Sequence, residues 1–157
     1  MKIFDCFMYF DEDVVLDLRL NYLSQYIDKF VIVESRYNHR GEKRNPQFNL
    51  KKFQKFKEKI NYILIDEEPE GIEKVNDNDS HEEKSRKFII NAAKRENFQR
   101  NMISQGIVEA DDDDWILISD LDEIPNLKKN NLKKLKSPLV FFKQHMIYYK
   151  FNLLLEN

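Results

Sequence analysis

The sequence predicts an α/β fold, because apolar segments typical of strands alternate with segments whose apolar residues recur at helical spacing. The run at residues 30–33 (FVIV) is continuous, apolar and largely β-branched, as in strands that are buried on both faces of a sheet. The 157 residues are 41% hydrophobic and include 12 Phe and 7 Tyr, enough for the core of one domain. We therefore expect one folded domain and exclude a disordered chain.

Strands and helices take turns along the chain. Strands are predicted where short runs are apolar and rich in β-branched or aromatic residues, and helices where apolar residues recur every three or four positions. The acidic stretch at residues 66–80 contains Pro69 and Gly71 and shows no periodicity, so a long loop is expected there. The predicted elements are strands at 3–10, 30–33, 62–65, 115–119, 139–142 and 146–149, and helices at 14–27, 48–60 and 80–106.

The longest predicted element is the helix from about Ser80 to Gly106. Ser80 and Glu83 have the spacing of a capping box, and Gly106 is a typical helix stop. Arg95 and Gln99 fall on the same face as apolar residues. Either Arg95 extends past the edge of an amphipathic face into solvent, or the helix presents Arg and Gln to an anionic ligand.

Charge and cysteine content exclude several classes of protein. Lys and Arg total 26 against 28 Asp and Glu, so the basic excess of a nucleic-acid-binding protein is missing. Cys6 is the only cysteine, which excludes an internal disulfide and a Cys/His zinc site and fits a reducing compartment. No signal peptide or membrane span is recognised, so we expect a cytoplasmic protein. The apolar end at residues 153–155 indicates either missing sequence or a contact with a second copy of the chain.

Glycine is scarce, and this constrains how the protein could bind a phosphate. The chain has 3 glycines, Gly41, Gly71 and Gly106, and each is isolated. A glycine-rich phosphate loop needs several glycines close together. A nucleotide would therefore have to be bound by other means.

Acidic residues before and after the predicted strand at 115–119 receive different interpretations. The four aspartates at 111–114 are expected to be solvated, because consecutive like charges point in several directions. Asp120 and Asp122 directly follow the strand, at the edge where open α/β sheets bind ligands. Two carboxylates at this spacing can hold Mg²⁺ or Mn²⁺, which would bridge diphosphate oxygens. The alternative is that these acids cap a helix opened by Pro125.

Two classes of enzyme carry an Asp-x-Asp motif after a strand. In haloacid-dehalogenase-like phosphatases the motif lies on the first strand, with further motifs well downstream, and Ile124 here stands where Thr or Val is usual. In nucleotide-sugar glycosyltransferases of the GT-A type, the motif follows a large stretch of nucleotide-binding α/β structure. Asp120 lies late in this chain, and its position favours glycosyl transfer.

Four blocks of sequence resemble glycosyltransferase family 17, in the family's order: FDCF at residues 4–7, FVIVES at 30–35, RENFQRN at 95–101 and ISDLDEIP at 118–125. The resemblance implies a GT-A-like fold, with a Rossmann-like sheet and flanking helices. It also implies a UDP-sugar donor, transfer of N-acetylglucosamine to a glycan acceptor, Mn²⁺ or Mg²⁺ as cofactor, and inversion at the anomeric carbon.

The resemblance also implies the site residues. Asp120 and Asp122 would bind the metal, with Asp122 the more direct ligand. Arg95 would face the diphosphate, where a guanidinium can neutralise the departing UDP. The residues expected to bind the donor are Glu34, Ser35, Arg95, Gln99, Arg100, Asn101, Asp120, Asp122 and Glu123.

Some features depart from the family. Its sequences ordinarily continue well beyond the last predicted strands, so we expect residues 1–157 to form a single GT-A-like domain that is C-terminally truncated. The missing part would be expected to supply the acceptor contacts and the catalytic base, so the catalytic residue is unknown from this sequence. His145 is a candidate substitute ligand or base, although a lone His is more often structural. A non-catalytic domain that binds a nucleotide sugar is the first alternative, and a haloacid-dehalogenase-like phosphatase is the second.

Overall fold

The computed structural model describes residues 1–135, 137–145 and 147, and it confirms the predicted α/β class. Within these residues four strands form one sheet, and helices cover both of its faces. The elements in chain order are β1 (Ile3–Tyr9), α1 (Asp13–Leu23), β2 (Lys29–Ser35), a 3-10 helix (Leu50–Lys59), β3 (Ile60–Ile65), α2 (His81–Asn101), α3 (Ile103–Gly106), β4 (Trp115–Ile118) and a second 3-10 helix (Leu132–Lys134).

The sheet has the strand order β3-β2-β1-β4, and every pair of neighbouring strands is parallel. In the register, Cys6 of β1 lies opposite Val31 of β2 on one side and Ile118 of β4 on the other. The chain adds β2 and β3 on one side of β1 and then crosses to add β4 on the other side. The boundary between β1 and β4 is therefore the switch point at which open α/β sheets bind ligands.

One apolar core lies on each face of the sheet. Alternate residues of the central strands point to opposite faces, so Phe7 and Ile32 pack on one side while Cys6 and Val31 pack on the other. Helix α1 covers the first face, and the end of α2 together with α3 covers the second. Burial raises the pKa of the Cys6 thiol to about 12. Such a thiol is inert rather than reactive at neutral pH.

The helices differ from the predicted ones at their ends and, for the helix predicted at 48–60, in type, because Leu50–Lys59 is a 3-10 helix with non-helical dihedral angles at Phe53. The capping box is confirmed, because the Ser80 hydroxyl accepts from the Glu83 N–H and the Glu83 carboxylate accepts from the Ser80 N–H. The predicted helix to Gly106 is instead two helices, since Met102 lies between α2 and α3. The first helix ends at Leu23, short of Ile27. In the described part of the chain no helix is long and apolar enough to cross a membrane.

The C-terminal strand predictions are not confirmed. Residues 139–142 have no regular secondary structure and line a groove beside β4 without joining the sheet. Of the strand predicted at 146–149, only Ile147 is described, in an isolated bridge. The apolar end at 153–155 lies outside the described residues, as does the oligomer contact expected there.

Asp114 behaves differently from the other aspartates of its run. Residues 111–113 are exposed, as expected for solvated acids, but the Asp114 side chain is only 3% exposed. Its carboxylate accepts from the main-chain N–H of Asp111 and of Lys2, and these hydrogen bonds hold its pKa below the usual value. Asp114 thus connects the turn before β4 to the start of β1 through hydrogen bonds.

Replacing Asp114 with Asn should remove a pH-dependent part of the stability. A carboxyl whose folded pKa is lowered stabilises the protein above its unfolded pKa of 3.8, and this contribution disappears as the pH falls through the folded pKa. Urea unfolding should therefore show a deficit for D114N at pH 7 that shrinks below about pH 4. Asp113→Asn, at an exposed position of the same run, is the control and should change stability little at either pH. An equal deficit at both pH values would contradict the assignment.

Gly106 allows α3 to pack closely on the sheet. A Cβ at this position would lie 2.2 Å from Val31 Cγ1 and 3.1 Å from Ile63 Cδ1. Gly106→Ala gains about 1 kcal/mol of helix propensity but must displace a stiff β-branched side chain, so we expect a net loss of about 2 kcal/mol. Urea unfolding measures this loss. Gln105→Ala, at an exposed neighbouring position, should stay within about 0.5 kcal/mol of the wild type; a similar loss in both variants would speak against close packing as the cause.

Candidate functional site

A cavity of about 600 Å³ opens at the carboxyl edge of the sheet, at the switch point between β1 and β4. Its volume is within the range of small-molecule sites, about 300–1,000 Å³. Its walls come from the end of β1, the beginning of α1, the turn after β4 and one side of α2. The lining residues are Met8, Tyr9, Phe10, Glu12, Val15, His39, Glu96, Gln99, Asp120, Leu121 and Asp122.

The chain turns sharply after β4, and the turn carries the Asp-x-Asp motif. The Glu123 N–H donates to the Asp120 carbonyl at 3.1 Å, and the Ile124 N–H donates to the Asp122 carbonyl at 3.0 Å. The Glu123 carboxylate accepts from the Asp120 N–H at 3.1 Å, so it closes the turn internally. Asp120 and Asp122 are exposed and line the cavity. Pro125 opens no helix, so these acids are not helix caps.

Beneath this turn lies Arg19 of α1, a residue that inspection of the sequence missed. Its guanidinium donates to both carboxylate oxygens of Asp5 at 2.7 and 2.8 Å, and both side chains are fully buried. The same guanidinium donates to the Asp120 carbonyl at 2.7 Å, the Leu121 carbonyl at 2.9 Å and Ser119 Oγ at 2.7 Å. Arg19 therefore connects β1, α1 and the turn after β4.

The sequence does contain a signal for this pair. Arg19 lies within the stripe formed by Leu16, Leu20 and Leu23, so helical spacing places a charged residue on the buried face of α1. Asp5 interrupts the apolar run of β1 in the same way. Two unlike charges in adjacent apolar elements indicate a buried ion pair, because an unpaired buried charge is costly.

Arg100 is the predicted donor-binding cation that lies nearest the motif. Its Nη2 is 3.4 Å from Asp120 Oδ1 and 3.2 Å from Glu96 Oε1. The side chain is 37% exposed, and Arg100 is not among the residues that line the cavity. The structure thus brings Arg100 into contact with Asp120 and Glu96, two residues of the cavity wall.

Arg95 has internal partners. Its Nε and Nη2 both lie 2.7 Å from Glu68 Oε1, and its Nη1 donates to the His39 carbonyl at 3.0 Å. Gly41 has a φ of +84°, and a Cβ there would lie 2.3 Å from Arg95 Nη2. Arg95 therefore connects α2 to the loops after β2 and β3, and its predicted contact with a diphosphate stays a prediction.

Gln99 and Asn101 occupy different environments on α2. Gln99 Nε2 donates to the Val33 carbonyl at 2.8 Å, which fixes the helix to the end of β2, and the residue also lines the cavity. Asn101 is exposed at the last position of α2. His145 is exposed as well and is not among the residues that line the cavity.

Glu34 is fully buried at the end of β2, where it accepts three hydrogen bonds and forms one ion pair. The donors are the main-chain N–H groups of Gln47 (2.7 Å) and Phe48 (3.1 Å) and the Tyr62 hydroxyl (2.8 Å), and the ion pair is with the Arg44 guanidinium, whose Nη1 lies 3.1 Å from Glu34 Oε1. Burial, followed by the hydrogen bond to Glu34, raises the pKa of Tyr62 well above its usual value. Glu34 thus anchors the chain that precedes the first 3-10 helix.

Ser35, next along the chain, lines a small recess that adjoins the cavity. His39, Arg95 and Gln99 are among the other walls of this recess. Ser35 Oγ accepts from the Tyr37 N–H at 3.0 Å. Ser35 is therefore partly exposed, whereas Glu34 is buried. A contact of either residue with the donor stays a prediction.

The motif offers two carboxylates to a cation. Within the described residues, His, Cys, Asp and Glu side chains form no group of three that could hold a metal ion. Mg²⁺ commonly binds through one or two carboxylates plus substrate phosphates and water. Asp120 and Asp122 therefore fit a metal that is held jointly with a diphosphate, rather than one enclosed by protein ligands alone.

Comparison with known proteins gives one match. The family model described as glycosyltransferase family 17 matches residues 1–156. Neither the curated proteins nor the solved structures gave a match. The family model covers nearly the whole chain, including the turn at Asp120 and the strands that lead to it.

Replacing Glu34 should reveal how much the fold depends on it. Glu34→Ala leaves the Arg44 guanidinium and two main-chain N–H groups without their buried acceptor, so we expect a loss of about 3 kcal/mol or more in urea unfolding. Tyr62→Phe removes one of the same hydrogen bonds and should cost about 1 kcal/mol. If Glu34→Ala lowered the stability no more than Tyr62→Phe does, the Glu34 carboxylate would not anchor the segment that precedes the first 3-10 helix.

Proposed function

Because the chain belongs to glycosyltransferase family 17, we propose that it transfers N-acetylglucosamine from a UDP-sugar to a glycan hydroxyl, with a divalent cation and with inversion at the anomeric carbon. The family makes the chain a glycosyltransferase and removes the phosphatase alternative. The observation that carries the proposal is the cavity at the switch point, with Asp120 and Asp122 on its wall. The remaining alternative is a domain that binds a nucleotide sugar without turnover.

Asp120 and Asp122 are the residues that would hold Mn²⁺ or Mg²⁺. When bound, the cation supplies positive charge that stabilises the diphosphate leaving group. The two side chains are exposed at the cavity wall, so they remain accessible to a cation that arrives with its phosphate ligands. Their main chain is fixed from below by Arg19, which limits how far the carboxylates can move apart.

Arg100 supports the binding of an anion at the same wall. In the structure its guanidinium is shared by Glu96 and Asp120. If the Asp120 carboxylate turned towards a cation, the guanidinium would keep one partner and could direct another N–H towards a phosphate oxygen. This arrangement supports a role for Arg100 in neutralising charge on the donor.

Acceptor activation requires a group that takes a proton from the attacking hydroxyl. Glu12 and Glu96 are carboxylates of the cavity wall besides the two aspartates. Glu12 Oε2 already accepts from the N–H groups of Phe10 and Asp11, both at 3.0 Å. Proton acceptors are thus present beside the proposed donor site, as a direct displacement requires.

Replacing Asp122 with Ala should abolish manganese-dependent donor binding while the protein remains folded. Asp122 is exposed, so its loss should hardly affect the core. In calorimetric titrations with UDP and UDP-N-acetylglucosamine, we expect the wild type to bind more tightly with Mn²⁺ than with chelator. We expect Asp122→Ala to lose tenfold or more of the manganese-dependent affinity. Asp113→Ala, another exposed acid, is the control and should bind as the wild type does.

Three outcomes separate the alternatives. Equal UDP binding by the wild type with and without Mn²⁺ would contradict the metal-dependent site. Manganese-dependent binding without UDP release, across a panel of glycan acceptors, would favour the binding domain. Release of UDP that depends on an acceptor would establish transfer.

A further inference from the structure

We propose that Arg19, held by Asp5, is the positioning residue of the Asp120 and Asp122 carboxylates. This inference rests on the proposed function, since it assigns a role in metal-dependent donor binding to a side chain that cannot touch the donor. Arg19 is fully buried under the turn and separated from the cavity by the main chain of that turn.

The contacts of the guanidinium are directed at the main chain of the motif. Nη1 donates to the carbonyls of Asp120 at 2.7 Å and Leu121 at 2.9 Å, and it lies 3.4 Å from the Glu123 carbonyl. Three carbonyls of one short turn thus converge on a single nitrogen. With these carbonyls held on the inner side, the side chains of Asp120 and Asp122 are left on the cavity side.

The turn cannot easily keep this conformation without Arg19. Carbonyl groups that converge in a partly buried place repel one another and need a donor, because water has limited access there. Ser119 Oγ accepts from Nη2 at 2.7 Å and donates to the Glu123 carbonyl at 3.3 Å, which adds a second connection between the guanidinium and the turn. The local hydrogen bonds within the turn are then supplemented by donors from α1.

Asp5 makes this use of a charged group possible. Its two carboxylate oxygens accept from Nε and Nη2 of the guanidinium, a bidentate geometry that this planar group allows. The carboxylate also balances the charge of Arg19. The pair therefore adds no net charge beneath the carboxylates, which stay available to a cation in the cavity. The ring of Phe7, 4.6 Å from Arg19 Cζ, covers the guanidinium further.

The pair differs from an ordinary structural ion pair in what it contacts. Lysine could neutralise Asp5, but its single ammonium could not reach both carboxylate oxygens, Ser119 and the carbonyls of the turn at once. Arg19→Lys therefore keeps the charge balance and removes the geometry. This substitution therefore tests whether Arg19 positions the turn, while the charge that balances Asp5 stays the same.

The test compares Arg19→Lys with Leu23→Ala, a core variant of the same helix whose side chain is buried away from the turn. Hydrogen–deuterium exchange reports whether residues 119–124 stay protected, and calorimetry measures UDP affinity with Mn²⁺ and with chelator. For Arg19→Lys we expect faster exchange confined to this turn and a loss of tenfold or more in manganese-dependent affinity, with the affinity in chelator unchanged. For Leu23→Ala we expect lower overall stability with wild-type affinity in both conditions.

The inference would be overturned if Arg19→Lys kept wild-type exchange in the turn, or if its effects on exchange and affinity matched those of Leu23→Ala. If Arg19→Lys does not fold, the Ser119→Ala variant provides the test of the inference. It removes one partner of the guanidinium and should speed exchange in the same turn, whereas unchanged exchange would overturn the inference. A wild type that binds UDP equally with and without Mn²⁺ contradicts the proposed function alone, and the exchange comparison then decides the Arg19 inference by itself.

Discussion

The buried pair of Arg19 and Asp5 connects parts of the chain that are far apart in sequence. Asp5 lies on β1, Arg19 lies 14 positions later on α1, and the carbonyls that Arg19 binds come about 100 positions further along. Removing both charges from water costs several kcal/mol per ion, and only good geometry with further hydrogen bonds offsets that cost. The guanidinium meets this condition with its two bonds to Asp5 and its bonds to the turn. The packing of α1 on the sheet and the shape of the motif therefore depend on the same contact.

A second buried acid organises the neighbouring strand in a similar way. Glu34 lies at the end of β2, where it collects two main-chain N–H groups, a hydroxyl and a guanidinium. Arg44, one of its partners, stacks over the Phe10 ring at 3.8 Å, and Phe10 directly follows β1 and lines the cavity. Each central strand thus carries one buried carboxylate that fixes a loop at the carboxyl edge. Side chains therefore satisfy main-chain polar groups of both loops.

Local sequence patterns determined the parts of the fold that could be predicted. The apolar run at residues 30–33, the capping box at Ser80 and the position of Asp120 after a strand all depend on neighbours within a few residues, and the structure places each as expected. The partners of Arg95 could not be predicted in this way, because Glu68 and His39 come from loops whose paths depend on the whole sheet. Asp114 is a similar case, since its acceptor role depends on Lys2 at the other end of the chain. Likewise, the apolar character of residues 139–142 predicted a strand, but a strand also requires a neighbouring strand to pair with.

The helix that follows β1 supports the proposal that a cation, rather than a helix end, binds the phosphates of the donor. In many nucleotide-binding sheets the anion lies at the N-terminus of this first helix, where free N–H groups and the helix dipole attract it. In this protein Glu12 accepts from the N–H groups of Phe10 and Asp11, and Asp13 occupies the first turn of α1. The Lys52 ammonium, which pairs with Asp13, holds the pKa of that carboxyl below its usual value. Glu12 and Asp13 thus place two carboxylates at this helix end and Lys52 one ammonium, so the balance of these three charges is negative and would repel an approaching diphosphate. Across the cavity, the turn after β4 presents two carboxylates with Arg100 beside them. A divalent cation held by these carboxylates would supply positive charge for a diphosphate at the motif, so the charge distribution of the cavity supports the proposed metal-dependent donor binding.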